Sequence, residues 1–254
     1  ILSKKQTISF EFFPPRNESG IPDVVEKMKT LSEYNPDFIS VTYGAGGSTQ
    51  GFTEELSKIA KSDLNLEVMS HITCVGQTKS EIDKILHKLQ KNHIENIIGL
   101  RGDPPKGSDK FVATDGGFKH ASELIHHIDT QYDFCIAAAG YPESHTESET
   151  PEIDIEYLKH KVDMGVDFII TQLFFDNTYY YNFVEKARAS GITVPIIPAL
   201  LPILNVSQIR RFTTLCGASI PTTLNSKLSH VENDDDQVIQ LGIEYATEQA
   251  EDLL

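Results

Sequence analysis

The 254-residue sequence predicts an α/β fold: a (β/α)8 TIM barrel whose last strand and helix are missing from this chain. Three observations predict it. Short β-rich runs alternate with amphipathic stretches along the whole length, the pattern of parallel strands joined by crossover helices. The first strand ends in Pro-Pro-Arg, whereas a doubly wound sheet opens with a Gly-rich G-x-G-x-x-G turn. The length matches the about 250 residues typical of such barrels.

Seven runs read as strands: TISFEFF (7–13), DFISVTY (37–43), LEVMSHITC (66–74), NIIGLR (96–101), DFCIAAA (133–139), DFIITQLF (167–174) and VPIIPAL (194–200). Helical spacing of i, i+3, i+4, i+7 joins Ile21, Val24, Val25, Met28 and Leu31, and again Ile82, Ile85, Leu86 and Leu89. Ala121, Leu124, Ile125 and Ile128 repeat it. Leu158 and Val162 mark a further helix, and the segment from Tyr179 to Ala189 another. After the seventh strand come helices at Val206–Leu215, near Thr222–Leu228 and at Val238–Leu253, with the acidic ENDDD (232–236) before the last. A closed barrel needs one more strand there, so the native chain is expected to continue beyond Leu254. No linker or composition break divides residues 1–254, which read as a single barrel domain.

The formal net charge is -15, from 22 basic and 37 acidic residues. That balance opposes non-specific binding to nucleic acid or an anionic membrane, but leaves room for small anionic ligands at a local cluster of Lys, Arg or His. No apolar run is long enough to span a bilayer, and ILSKKQT at the start has no signal-peptide core. Cys74, Cys135 and Cys216 are odd in number and far apart, which argues against a disulfide framework and a zinc site. Cys74 and Cys135 read as small buried hydrophobes, and the expected setting is the reducing cytoplasm.

Chemistry is sought at the C-terminal ends of barrel strands. Period-two alternation turns Ile8, Phe10 and Phe12 to the helix layer and Ser9, Glu11 and Phe13 to the lumen. Partial desolvation there is expected to raise the pKa of Glu11 and fit it to donate a proton. A structural ion pair explains a lumen carboxylate equally well, and on the pattern alone the two readings stand level. In GLRGDPPKG (99–107), Arg101 and Asp103 share a parity, and Gly102 permits close backbone approach. The glycine-rich SVTYGAGGST (40–49) offers Gly44, Gly46 and Gly47 to a phosphate or a flat ring. His71 closes the third strand, GYPESH (140–145) follows the fifth, and Gln172 ends the sixth. Asp154 and Lys161 lie two turns apart on one helix face, which reads as a solvated surface. The nine histidines show no HExxH spacing and no G-x-S-x-G is present, so metal-free, cofactor-dependent chemistry is favoured.

SFEFFPPR, SVTYGAGGST, HITC, LRGDPP, YPE-x-H and ITQLFFD occur in that order. Together they resemble the methylenetetrahydrofolate reductase family, the flavin-dependent barrels of bacterial type, over essentially the whole chain. The resemblance implies FAD as cofactor, NADH or NADPH as hydride donor, and reduction of 5,10-methylenetetrahydrofolate by ping-pong kinetics, supplying methyl groups for methionine synthesis. It implies catalytic roles for Glu11, as general acid, and for Asp103 beside flavin and pterin. It implies flavin contacts for Thr42, Tyr43, Ala45, His71, Arg101, Gly102, Asp103, His120, Ala121, Tyr141, His145, Ser148, Asp154, Tyr157, His160 and Lys161. Of these, Arg101 and Lys161 would offset phosphates and Asp154 would take ribose hydroxyls. Folate would be met by Asp103, Gln172, Gln208 and Phe212, the last by stacking.

His120 stands where the family often has Tyr, and His160 where it often has Arg, a stronger phosphate partner. The family's closing HFYTLNR-like segment has no counterpart, in keeping with the strand count. The resemblance also implies homo-oligomers, while the net charge argues against a nucleic-acid or membrane partner. Two alternatives accompany it: a related flavin barrel of the proline-dehydrogenase kind, and a folate- or flavin-binding barrel without activity.

Overall fold

The computed structural model describes residues 5–43, 50–103 and 111–254. Seven strands and nine α-helices alternate among them. They run β1 (Ser9–Phe12), α1 (Ile21–Ser32), β2 (Phe38–Val41), α2 (Gln50–Ser62), β3 (Val68–Thr73), α3 (Lys79–Lys91), β4 (Asn96–Leu100) and α4 (Ala121–Gln131). Then follow β5 (Cys135–Gly140), α5 (Pro151–Asp163), β6 (Phe168–Thr171), α6 (Asn177–Ala189), β7 (Ile196–Ile197), α7 (Val206–Cys216), α8 (Thr222–Val231) and α9 (Asp235–Leu253). The strands hydrogen-bond in sequence order, as a (β/α)8 barrel requires. No eighth strand follows β7 among the described residues.

Each expected strand is present but shorter, because only the ladder-paired centre of each apolar run counts. Helix α2, not singled out by the sequence periodicity, lies between β2 and β3. Local signals place the helix starts. Thr78 and Glu81 close a capping box on α3, with Glu81 N–H donating to Thr78 Oγ1 at 3.3 Å and Thr78 N–H donating to Glu81 Oε2 at 2.8 Å. Asp176, Asn205 and Asp234 cap α6, α7 and α9 through their side-chain oxygens.

The chain divides into two compact units. The first holds residues up to Ala138 together with Asp163–Asp167, the second holds Ala139–Val162 and Phe168–Leu254. In the first unit β1 to β5 pair in parallel, Glu11 opposite Ser40 and Met69 opposite Asn96. Its interior is aliphatic, with Met28, Ile39, Leu56, Met69, Ile72, Ile82 and Leu86 fully buried. Cys74 is buried here and Cys135 half-buried; burial pushes their thiols up to about 12 and about 11, so both are inert at neutral pH. Ile8 departs from its expected place in the helix layer. It precedes β1, is 60% exposed, and its N–H donates to Asp37 Oδ2 at 3.0 Å.

In the second unit β6 and β7 pair in parallel, and Phe175, Ile203, Val206, Ile209, Leu224, Leu228 and Val238 form a core cluster. Gly242 lets α9 lie directly on the backbone of Ile203; a Cβ there would sit 2.7 Å from the carbonyl carbon. Among the described residues no helix is long and apolar enough to cross a membrane.

Candidate active site

In the first unit, the register places Glu11 beside Ser40, and side chains two residues apart share a sheet face. Ser40 Oγ donates to Glu11 Oε2 at 3.2 Å, and His71 Nε2 lies 3.4 Å from the same oxygen. The Glu11 side chain is 44% exposed, that of His71 9%. The expectation for the Glu11 pKa is overturned. Burial does push its carboxyl up, but the adjacent His71 imidazole and the Ser40 hydroxyl outweigh it and hold the carboxyl below its ordinary value.

Thr42, buried at the end of β2, donates its N–H to Phe12 O and accepts from Thr53 Oγ1 at 2.8 Å. Tyr43 hydrogen-bonds Gln77 through its hydroxyl, and burial raises its pKa well above the usual phenol range. Strand β4 stops at Leu100, and Gly102 adopts the left-handed φ of +85°. The parity expected to join Arg101 to Asp103 therefore does not persist. A Cβ on Gly102 would sit 2.8 Å from Val75 Cγ1, so the close approach expected there is real, and it is to the turn after β3. The Arg101 guanidinium stacks 5.1 Å from the Phe111 ring centre, and Asp103 is exposed. His120 and Ala121 sit at the start of α4. Ala45, Gly44, Gly46 and Gly47 lie outside the described residues, as do Pro104 and Pro105.

In the second unit, α5 turns a polar edge inward. Asp154 is only 8% exposed and accepts from Ser148 Oγ at 2.8 Å. Two turns on, Lys161 Nζ donates to Ala139 O, at the end of β5, at 2.7 Å. Burial pushes its amine down to about 8, the nearby Asp154 charge only partly opposing this. This face is not the solvated surface its spacing suggested; its exposed members are Tyr157 and His160. The Tyr141 and His145 rings meet edge-on at 4.7 Å, and the Lys161 ammonium lies 5.9 Å from the Tyr141 ring centre. Gln172 turns its side-chain carbonyl back to Leu173 N–H at 2.8 Å, which leaves its NH₂ as the outward donor. Gln208 is exposed in the first turn of α7, and Phe212, one turn on, packs half-buried against the core cluster.

The methylenetetrahydrofolate reductase family model matches residues 1–254. The chain belongs to that family. The relatives agree. A methylenetetrahydrofolate reductase (NADH) of Arabidopsis thaliana is 40% identical over 97% of this chain and 43% of its own length. A 5,10-methylenetetrahydrofolate reductase of Pectobacterium carotovorum is 32% identical over 96% of this chain and 80% of its own. The chain thus spans less than half the length of the plant relative and most of the bacterial one. Among solved structures, an uncharacterized Clostridium thermocellum protein that binds two copies of 5-methyl-5,6,7,8-tetrahydrofolic acid superposes with a TM-score of 0.60 at 15% identity. That match covers 98% of this chain and 85% of that one. A likeness at such identity shows the fold alone.

Three residues of these surroundings escaped the sequence reading. Ser40 and Gln77 are polar positions whose partners lie 29 and 34 residues away. Glu143, within the YPE-x-H motif, receives the N–H of Ser219 on both carboxylate oxygens at 3.0 Å, together with the Ser219 hydroxyl. Only that motif pointed to it.

Proposed function

We propose that residues 1–254 act as one catalytic barrel of an FAD-dependent reductase that converts 5,10-methylenetetrahydrofolate to 5-methyltetrahydrofolate with NADH or NADPH. Its setting is the cytoplasm, its kinetics ping-pong, and its product a methyl donor for methionine synthesis. The observation that carries the reading is Glu11, a carboxylate near the C-terminal end of β1 in a chain of this family. The folate bound by the Clostridium protein is consistent with that substrate class.

Two features support an anionic, hydrogen-bonding cofactor. Lys161 holds its amine on the Ala139 carbonyl, where burial makes the proton less favourable than on a free lysine, and His71 Nε2 is buried without a hydrogen-bond partner among the described residues. We assign to FAD the residues Thr42, Tyr43, His71, Arg101, Gly102, Asp103, His120 and Ala121 of the first unit. In the second we assign Tyr141, His145, Ser148, Asp154, Tyr157, His160 and Lys161. Bound FAD supplies the relay that accepts hydride from the nicotinamide and passes it to the folate. The chain's own part is binding, orientation and a proton. Glu11 gives that proton to the bridging nitrogen of the folate, so that the methylene carbon becomes an iminium. Asp103 stabilises this cation, the Gln172 NH₂ and the Gln208 amide orient the pterin, and Phe212 stacks on the folate.

Protein loaded with FAD is treated anaerobically with NADH or NADPH, then with 5,10-methylenetetrahydrofolate. The flavin absorbance should bleach and then recover. Glu11→Gln should keep the bleaching and slow the recovery by about 100-fold or more. Equal loss of both steps would remove Glu11 from the role, and protein that stays colourless with FAD added would be no flavoenzyme.

A further inference from the structure

The ring nitrogen of His71 that faces Glu11 is sealed from solvent and, among the described residues, has no well-formed hydrogen bond. Buried polar atoms are rarely left so, and each exception asks for a physical cause. Its nearest charged neighbour is the Glu11 carboxylate, 3.4 Å away, whose Oε2 is also fixed by the Ser40 hydroxyl. β2 presents neutral Ser40 here, and β4 sets neutral Ile98 beside His71 in register. Among the described residues His71 is the ionisable group that acts on the Glu11 carboxyl. The two groups have few compatible states. A carboxylate facing an unprotonated ring nitrogen sets lone pair against lone pair. One proton between them satisfies both, whether it sits on oxygen or on nitrogen.

We propose that Glu11 and His71 hold one proton in common, which makes His71 the positioning residue of the acid assigned to Glu11. This rests on the proposed role of Glu11 in folate reduction. During turnover the proton leaves Glu11 Oε2 for the bridging nitrogen of the folate. The bond from that nitrogen to the methylene carbon breaks, and its electron pair stays on the nitrogen. The carboxylate left behind takes its next proton from solvent through its exposed side and shares it again with His71. The pair thereby keeps a proton within reach of Glu11 between turnovers.

The test is carbon-13 NMR of labelled glutamate together with nitrogen-15 NMR of labelled histidine, on the protein as purified. In the wild type, the Glu11 carboxyl carbon and His71 Nε2 should move through one shared step as pH changes. In His71→Gln the Glu11 midpoint should rise, because the lowering influence of His71 is gone and only Ser40 still opposes burial. Ser40→Ala should raise it by less. The high-pH limb of the folate half-reaction, where the acid loses its proton, should move with the Glu11 midpoint, which a merely structural histidine would not cause. Independent steps in the wild type, or an unmoved Glu11 in His71→Gln, overturn the coupling; the wild-type measurement decides even if the variant fails to fold. A shared step in a protein whose Glu11→Gln variant still reduces folate at the wild-type rate overturns the role of Glu11, and that of His71 with it, while leaving folate reduction itself standing.

Discussion

Replacing Lys161 tests whether a buried amine was kept for an anion. In the unfolded chain the amine holds its proton up to 10.5, and in the folded protein only up to about 8. The gap of about 2.5 pH units is worth ~3 kcal/mol against the charged form. Between those two values the unfolded chain binds more protons than the folded one, so the unliganded fold gains stability as pH rises through that window. An anion beside Nζ reverses the balance by favouring the proton. At pH 7 roughly nine-tenths of the amines carry it already, at pH 9 roughly one-tenth, so FAD should bind ~10-fold more weakly at pH 9. Lys161→Met should bind at least ~10-fold more weakly than wild type at pH 7, since charged hydrogen bonds contribute ~1.5–3 kcal/mol. It should show no such pH dependence. Lys161→Arg keeps its charge throughout and should lose the drop near pH 8. Equilibrium dialysis from pH 7 to 9 measures the affinities, and urea denaturation of unliganded protein measures the stabilities. Wild-type affinity that is flat across pH 8, or a Met variant with the wild-type slope, refutes the reasoning.

Two further outcomes follow from packing. Gly242→Ala gains ~1 kcal/mol of helix propensity but drives a methyl into the Ile203 backbone, which cannot rotate aside. A net loss of ~2 kcal/mol should lower Tm by ~4–8 °C, and an unchanged or higher Tm would contradict the contact. Glu143→Ala should leave global stability within ~1–2 kcal/mol but speed amide hydrogen exchange at Ser219, with the amides of α6 unaffected; equal protection in both proteins would show the contact to be idle.

Local signals carried most of the fold. Alternating β-rich and amphipathic runs located every strand found among the described residues. Helix α2 escaped because QGFTEELSKIAKS carries few large apolar residues at helical spacing. The site was legible as residue types but not as electrostatics. Glu11 reads as a desolvated carboxylate in its own strand, and the groups that reverse its shift sit on other strands, 29 and 60 positions along the chain. Asp154 and Lys161 misled for the complementary reason. Two charges seven apart look solvated unless the backbone carbonyl of Ala139 and the hydroxyl of Ser148, which receive them, are also known.

The contact between Glu143 and Ser219 has a consequence for how this chain can vary. The carboxylate of one loop holds the backbone of another, and Gly217, at a φ of +78°, closes α7 against Thr146 of the first. Two loops tied at both points have fixed lengths, because an added residue in either would pull the carboxylate off its amide. Insertions among relatives should therefore spare residues 141–150 and 216–221.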